Sequence, residues 1–149
     1  MELSIRNAEL NDFESIAELS KQLGYNTNNF VMQKRLAEIL KSDGNCVFVA
    51  VYNEKIVGWV HGFYTQRIES DAFVEIGGLV VNENYWKRGI GKMLVEVVGK
   101  WAKSRNCKTL RVRCNTLRTE SHKFYEKAEF QLNKEQKIFD RQLPERVSI

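Results

Sequence analysis

The most regular hydrophobic pattern in the chain runs from Ile90 to Ala102, where Ile90, Met93, Leu94, Val97, Val98, Trp101 and Ala102 recur at the spacing of one helical face. The pattern predicts a long amphipathic helix lying against a sheet. Ahead of it, residues 46–52 and 56–64 are dense in β-branched and aromatic side chains and are separated by Asn53-Glu54-Lys55, a hairpin signal. Residues 72–81 read as a third strand, antiparallel to the hairpin. Nearer the start, residues 3–6 form a short alternating strand, and Asn11 caps a helix with Glu14 at capping-box spacing. Phe13, Ile16, Ala17 and Leu23 follow inward, and Gly24 suits the stop. A second helix is expected over 30–40, capped by Asn28 or Asn29, with Leu36, Ile39 and Leu40 inward. Beyond the long helix the pattern gives a strand over 109–114, a short helix over 120–127, and a closing pair of strands over 130–132 and 137–143.

This order predicts an α/β fold, a mixed and mostly antiparallel sheet with helices on both faces. The strand, helix and strand within 74–114 form a right-handed parallel crossover. One proline, Pro144, and the absence of a linker or repeat make residues 1–149 a single domain. No run is long and apolar enough for a membrane span, and the opening residues lack the basic-then-apolar order of a signal peptide, so a cytoplasmic protein is expected.

Composition narrows the chemistry. With 43% hydrophobic and 28% charged residues, disorder is excluded. Cys46, Cys107 and Cys114 are scattered, and His61 and His122 lie far apart, so neither a disulfide framework nor a metal site is expected. The 23 Lys and Arg against 19 Asp and Glu give +4, a bias toward polyanions that does not separate nucleic acid from a phosphorylated cofactor.

Asn82-Glu83-Asn84-Tyr85-Trp86-Lys87-Arg88-Gly89-Ile90-Gly91-Lys92 joins the third strand to the long helix. A basic, glycine-containing turn entering a helix N-terminus suits an anion: unpaired N–H groups point outward and the helix dipole adds positive potential. Gly89 and Gly91 permit close approach of a phosphate, and Lys87, Arg88 and Lys92 supply charge. The same glycines also fit a tight turn with no ligand. A Walker loop fails, because Trp86 stands where its first glycine belongs and Met93 where Ser or Thr belongs. A dinucleotide fingerprint fails at Leu94, where its third glycine belongs.

Val80-Val81 and Tyr85 through Leu94 resemble the acetyl-coenzyme A signature of the GCN5-related N-acetyltransferase (GNAT) superfamily, Gln/Arg-x-x-Gly-x-Gly/Ala, with Trp86 in place of Gln or Arg. Residues 115–130, Asn115 through Phe124-Tyr125-Glu126 to Phe130, are similar to a second segment of that family, with Ser121 and Glu129 as departures. The resemblance spans the whole chain in element order. It implies the acyl-CoA N-acyltransferase fold, acetyl-CoA as cosubstrate, and a diphosphate held by backbone groups of the turn from Lys87 to Lys92. It also implies a pantetheine arm laid between the third strand and the strand over 109–114, contacted by Leu79, Val80, Val81, Asn115 and Tyr125.

Acetyl transfer to an amine requires a base, an oxyanion donor and a proton for the departing thiolate. Glu75, alone among apolar residues of its strand, is the candidate base; its other reading is a cross-strand salt bridge. Gly77-Gly78 predicts a bulge or a close backbone approach. The resemblance makes it the point where the two strands part, with the amide of Leu79 facing the thioester oxygen. The pair also fits simple accommodation of a large neighbour such as Trp59. Tyr125 reads as helix core by spacing, and by resemblance as the proton donor to the coenzyme sulfur. Cys114 reads as a buried strand cysteine, so direct attack is favoured over an acetyl-cysteine. His61 and His122 are outside the catalytic set.

The leading expectation is an acetyl-CoA dependent N-acetyltransferase acting on a small primary amine, with no nucleic acid, membrane or metal partner. Two alternatives stand beside it: a coenzyme-binding sensor without turnover, and a nucleic-acid module built on Lys108, Arg111, Arg113 and Arg118. The first two helices and residues 64–71 are expected to shape the acceptor. There Glu69, Asp71 and Glu75 suit a cation and Arg67 suits an anion. The closing strands offer an edge at which a second copy can form a homodimer.

Overall fold

Five strands lie side by side in the order in which they occur: β1 (Leu3–Asn7), β2 (Asn45–Tyr52), β3 (Lys55–Thr65), β4 (Phe73–Val81) and β5 (Leu110–Val112). The first four pair antiparallel, and β5 joins β4 in parallel. A computed structural model describes residues 2–114, 116 and 118–146. The connection a parallel pair requires is α3 (Ile90–Ser104), which crosses over the sheet.

Helix α3 buries Ile90, Leu94, Val95, Val98 and Ala102 against Phe48, Val60, Val74 and Ile76. On the other face Val47, Val49 and Trp59 receive Ile16 of α1 (Phe13–Ser20) and Leu36 of α2 (Asn29–Leu40). Helices therefore cover both faces, as the pattern requires. The buried line of α3 runs by fours through Ile90, Leu94, Val98 and Ala102, which brings Val95 inside and leaves Met93, expected inward, on the rim at 38% exposure. Leu40 is likewise exposed at the end of α2, where Leu36 carries the packing. No described helix is long and apolar enough to cross a membrane.

The start of α1 differs from the expected Asn11 cap. A 3-10 turn, Leu10–Asp12, precedes the helix, and the Asp12 carboxylate accepts the Glu9 N–H at 2.7 Å. Arg6 donates to both of its oxygens, at 2.8 and 2.9 Å, tying β1 to the helix. Those hydrogen bonds hold the Asp12 carboxyl below its ordinary value despite its burial. At α2 the Asn28 side chain accepts the Val31 N–H at 2.8 Å, a conventional cap.

Two expected features are not formed. The strand over 109–114 contracts to Leu110–Val112, because β4 is diverted beyond Ile76 and offers no further partner. The closing strands over 130–132 and 137–143 are absent: residues 130–146 carry no strand, and Leu132, Ile138, Phe139 and Leu143 stay exposed. A three-residue β5 presents too short an edge to hold a further pair in the same chain.

Leu94 is fully buried at the centre of α3. Leu94→Ala is expected to lower the unfolding free energy by about 3–5 kcal/mol in urea titrations. Asp12, with its lowered folded-state value, contributes stability that is complete above the ordinary carboxylate range and lost as pH falls through that lowered value. Asp12→Asn is expected to remove this part of the acid limb in melting curves recorded as a function of pH.

Candidate active site

The site begins with a register fault. Along β3 and β4, His61 faces Gly78 and Gly62 faces Ile76, so Gly77 is an extra residue, the bulge expected at the glycine pair. The parallel ladder to β5 runs through Val74, Glu75 and Ile76 and stops there. Both glycines point toward the α1 and α2 face. A Cβ on Gly78 would stand 2.6 Å from the Trp59 ring, and one on Gly77 2.9 Å from Phe63 and 3.1 Å from His61. The divergence and the accommodation of Trp59 are thus one feature.

Past the bulge, β4 has an open edge. The Asn82 N–H bonds back to Val57 O at 2.8 Å, whereas Val81 O points away and accepts from Trp86 Nε1 at 2.7 Å and Gln22 Nε2 at 2.9 Å. A residue's N–H and C=O leave an antiparallel strand on the same side, and the sides alternate. The peptide groups of Leu79 and Val81 therefore face the gap beyond Val112, while those of Gly78 and Val80 face β3. Val80 is 3% exposed, so its side chain belongs to the core.

The basic turn closes one end of this gap. Residues 83–85 form a 3-10 turn, Lys87 takes φ +65°, and Gly89 takes φ +81° as the residue capping α3. Nothing lies within 4 Å of where a Gly89 side chain would start, so its left-handed backbone is what calls for glycine. Gly91 serves packing: a Cβ there would meet the Phe124 ring at 3.0 Å, which docks α4 (Thr119–Lys127) on the first turn of α3. Ile90 is core at 2% exposure, so only its backbone can contribute to anion binding. Among the described residues Lys87, Arg88 and Lys92 make no ion pair; Arg88 stacks on Tyr85 at 5.0 Å.

Tyr125 projects from α4 among Phe124 and Phe130, with ring centroids at 5.1 and 5.5 Å. Burial, reinforced by nearby Cys114, pushes its hydroxyl up to about 12, so it stays protonated at any ordinary pH. Burial also raises the Cys114 thiol, which suits a packed cysteine better than a nucleophile. Asn115 lies outside the described residues.

On the α1 and α2 face, Glu75 Oε1 accepts from Arg113 Nε at 3.0 Å, and Arg113 also donates to Gln136 at 3.1 Å. The salt bridge read as an alternative for Glu75 is therefore formed, and Arg113 leaves the basic stripe. Glu75 Oε2 has no partner among the described residues. His61 pairs through Nε2 with Asn45 Oδ1 at 2.7 Å, and burial lowers its pKa, keeping the ring neutral. The sequence reading missed Gln22 and Trp86, which together hold the Val81 carbonyl and, through Gln22, the Glu83 N–H at 3.2 Å. Trp86 was visible only as a departure from the family pattern; Gln22, remote in sequence, carried no signal.

Two hollows lie elsewhere, one lined by Ala17, Lys21 and Asn28 and one by Glu2, Val51 and Glu54. The gap beside β4 is an open groove that a long, flexible ligand would complete. Among the described residues no three His, Cys, Asp or Glu side chains gather as a metal site.

A comparison of the sequence with curated proteins finds no match. The fold has many solved counterparts. The apo aminoglycoside antibiotic 6'-N-acetyltransferase AAC(6')-IG from Acinetobacter haemolyticus superposes with a TM-score of 0.85 at 15% identity, covering 95% of this chain and 99% of that one. Aminoglycoside N-acetyltransferase AAC(6')-Iy in complex with CoA gives 0.84 at 23% identity, covering 95% of each chain. A transcriptional regulator from Bacillus halodurans C-125 gives 0.84 at 23% identity, covering 94% and 100%. These likenesses establish the shared fold, and the sequence itself matches the acetyltransferase (GNAT) family over residues 10–130. The chain belongs to the acetyltransferase (GNAT) family.

Proposed function

We propose that this chain transfers an acetyl group from acetyl-CoA to a primary amine of a small molecule by direct attack within a ternary complex. The observation that carries the reading is the open edge of β4, created at Gly77 and ending at a turn with three unpaired cations. Lys87, Arg88 and Lys92, with the backbone from Gly89 to Gly91, hold the diphosphate, a charge-assisted arrangement at a helix N-terminus. Leu79 offers its peptide groups and Val81 its N–H to the pantetheine as a neighbouring strand would, and Val80 between them holds the strand in the core. Asn115 is assigned to the same arm. Bound acetyl-CoA supplies the activated acetyl thioester.

Glu75 takes the proton from the incoming amine through its unpartnered Oε2, directly or by way of water, while Arg113 fixes the carboxylate plane. The Leu79 N–H faces the position where oxyanion charge develops. Tyr125, protonated beforehand because burial raises its pKa, donates its proton to the departing thiolate. In AAC(6')-Iy a related fold holds CoA, which supports the donor assignment. The aminoglycoside-acetylating neighbours support a small-molecule amine as acceptor.

A homodimer is proposed as the working form. Leu132, Ile138, Phe139 and Leu143 stand 77–87% exposed on residues 131–146. Two such apolar arms bury each other between two copies. Light scattering is expected to give twice the chain mass, and Ile138→Glu with Phe139→Glu to give the monomer.

Tyr125→Phe and Glu75→Gln are each expected to lower kcat about 100-fold or more, with the coenzyme Kd changed by less than about threefold. Steady-state thiol release and calorimetry check the two quantities; unchanged kcat in both variants removes the assignments, and coenzyme binding without release from any amine points to a sensor. Lys87→Ala combined with Lys92→Ala is expected to raise the coenzyme Kd at least about tenfold at low salt, and by less at high salt.

A further inference from the structure

Phe73 opens β4 two residues before Glu75 and is 2% exposed. Two guanidinium groups cover its ring: Arg111 of β5 at 4.2 Å from the centroid, and Arg67 of the preceding loop at 5.5 Å. Among the described residues neither makes an ion pair. Glu75, the carboxylate placed on this face, is taken by Arg113. Glu69 and Asp71 lie on the same loop as Arg67 and are exposed, without an ion pair to it.

Two like charges gathered on one ring without a counterion repel. An anion between them reverses the sign. Beside them, Thr65 pairs with Phe73 in register and so shares its face, and its buried Oγ1 has no hydrogen-bond partner among the described residues. A hydroxyl left without a partner beside two planar, forked donors is what a carboxylate or phosphoryl group requires.

We propose that Arg67, Arg111 and Thr65 form an anion subsite around Phe73, and that the acceptor is a primary amine carrying a carboxylate or phosphoryl group. The inference rests on the acetyl-transfer reading for the amine end. Strand geometry sets the reach: Phe73 lies about 7 Å from Glu75 along β4, so amine and anion are separated by a short aliphatic spacer. The subsite selects against polycations, which would set a second ammonium group against both arginines.

The test compares butylamine, putrescine, γ-aminobutyrate and aminobutylphosphonate by calorimetry on the CoA-saturated protein, together with thiol release from acetyl-CoA. One of the two anionic amines is expected to bind at least tenfold more tightly than butylamine and putrescine, and which one wins distinguishes carboxylate from phosphoryl. Arg67→Gln and Arg111→Gln are each expected to erase that preference while leaving the butylamine and coenzyme Kd values unchanged. Arg111→Lys, which keeps the charge but loses the fork, is expected to retain part of it. Arg67 sits on an exposed loop, so its variant reports even if an Arg111 variant folds poorly. Equal or tighter binding of putrescine, or a preference that survives both glutamine substitutions, overturns the subsite. A preference that depends on the arginines, with no thiol release from any amine, supports the subsite and contradicts acetyl transfer. Release without the preference does the reverse.

Discussion

β4 can pair with β5 only as far as Ile76, because Gly77 inserts one residue that β3 does not match. Everything assigned to the site follows from that constraint. The strand carries on to Val81 with its β3 side bonded and no strand on its other side, so the Leu79 peptide groups and the Val81 N–H face a gap, while Trp86 and Gln22 hold the Val81 carbonyl. Glycine is required twice because the bulge turns two successive residues toward the same face, where Phe63, His61 and Trp59 already fill the space. A side chain at either position would push the aromatic layer aside and close the divergence.

Charge is distributed differently at the two sides of this gap. Among the described residues the turn before α3 presents Lys87 and Lys92 without ion-pair partners and Arg88 against Tyr85, beside the N–H groups that a helix start leaves unpaired. On the opposite side Glu75 is held by Arg113, and Arg67 and Arg111 rest on Phe73. A long anionic donor and a compact acceptor can thus approach from separate directions and meet at the bulge. Between them Tyr125, kept protonated by burial, stands beside the opened end of β5.

What the sequence made legible was what is local. Period-3.6 spacing located α3, alternation and aromatic content located β2, β3 and β4, and Gly77-Gly78 marked the bulge. The turn from Lys87 to Lys92 was legible for the same reason, since its glycines and cations are contiguous. What escaped depends on distant partners. The cap of α1 passed from Asn11 to Asp12 because Arg6, on a strand, supplies two hydrogen bonds that no local spacing reveals. Strand pattern over 137–143 was real, but strands need an edge, and a three-residue β5 does not provide one within the chain. Gly91, read as room for phosphate, also makes room for Phe124, a contact across 33 positions of sequence that local spacing does not reveal.

The account turns on whether the bare side of β4 receives the coenzyme arm. Amide-resolved hydrogen exchange, recorded with and without acetyl-CoA, measures this at individual peptide groups. Strong new protection is predicted at the Leu79 and Val81 N–H groups together with changes at Gly89 and Gly91, and little change at Gly78 and Val80, which already face β3. Saturating acetyl-CoA with no added protection at Leu79 or Val81 would contradict it.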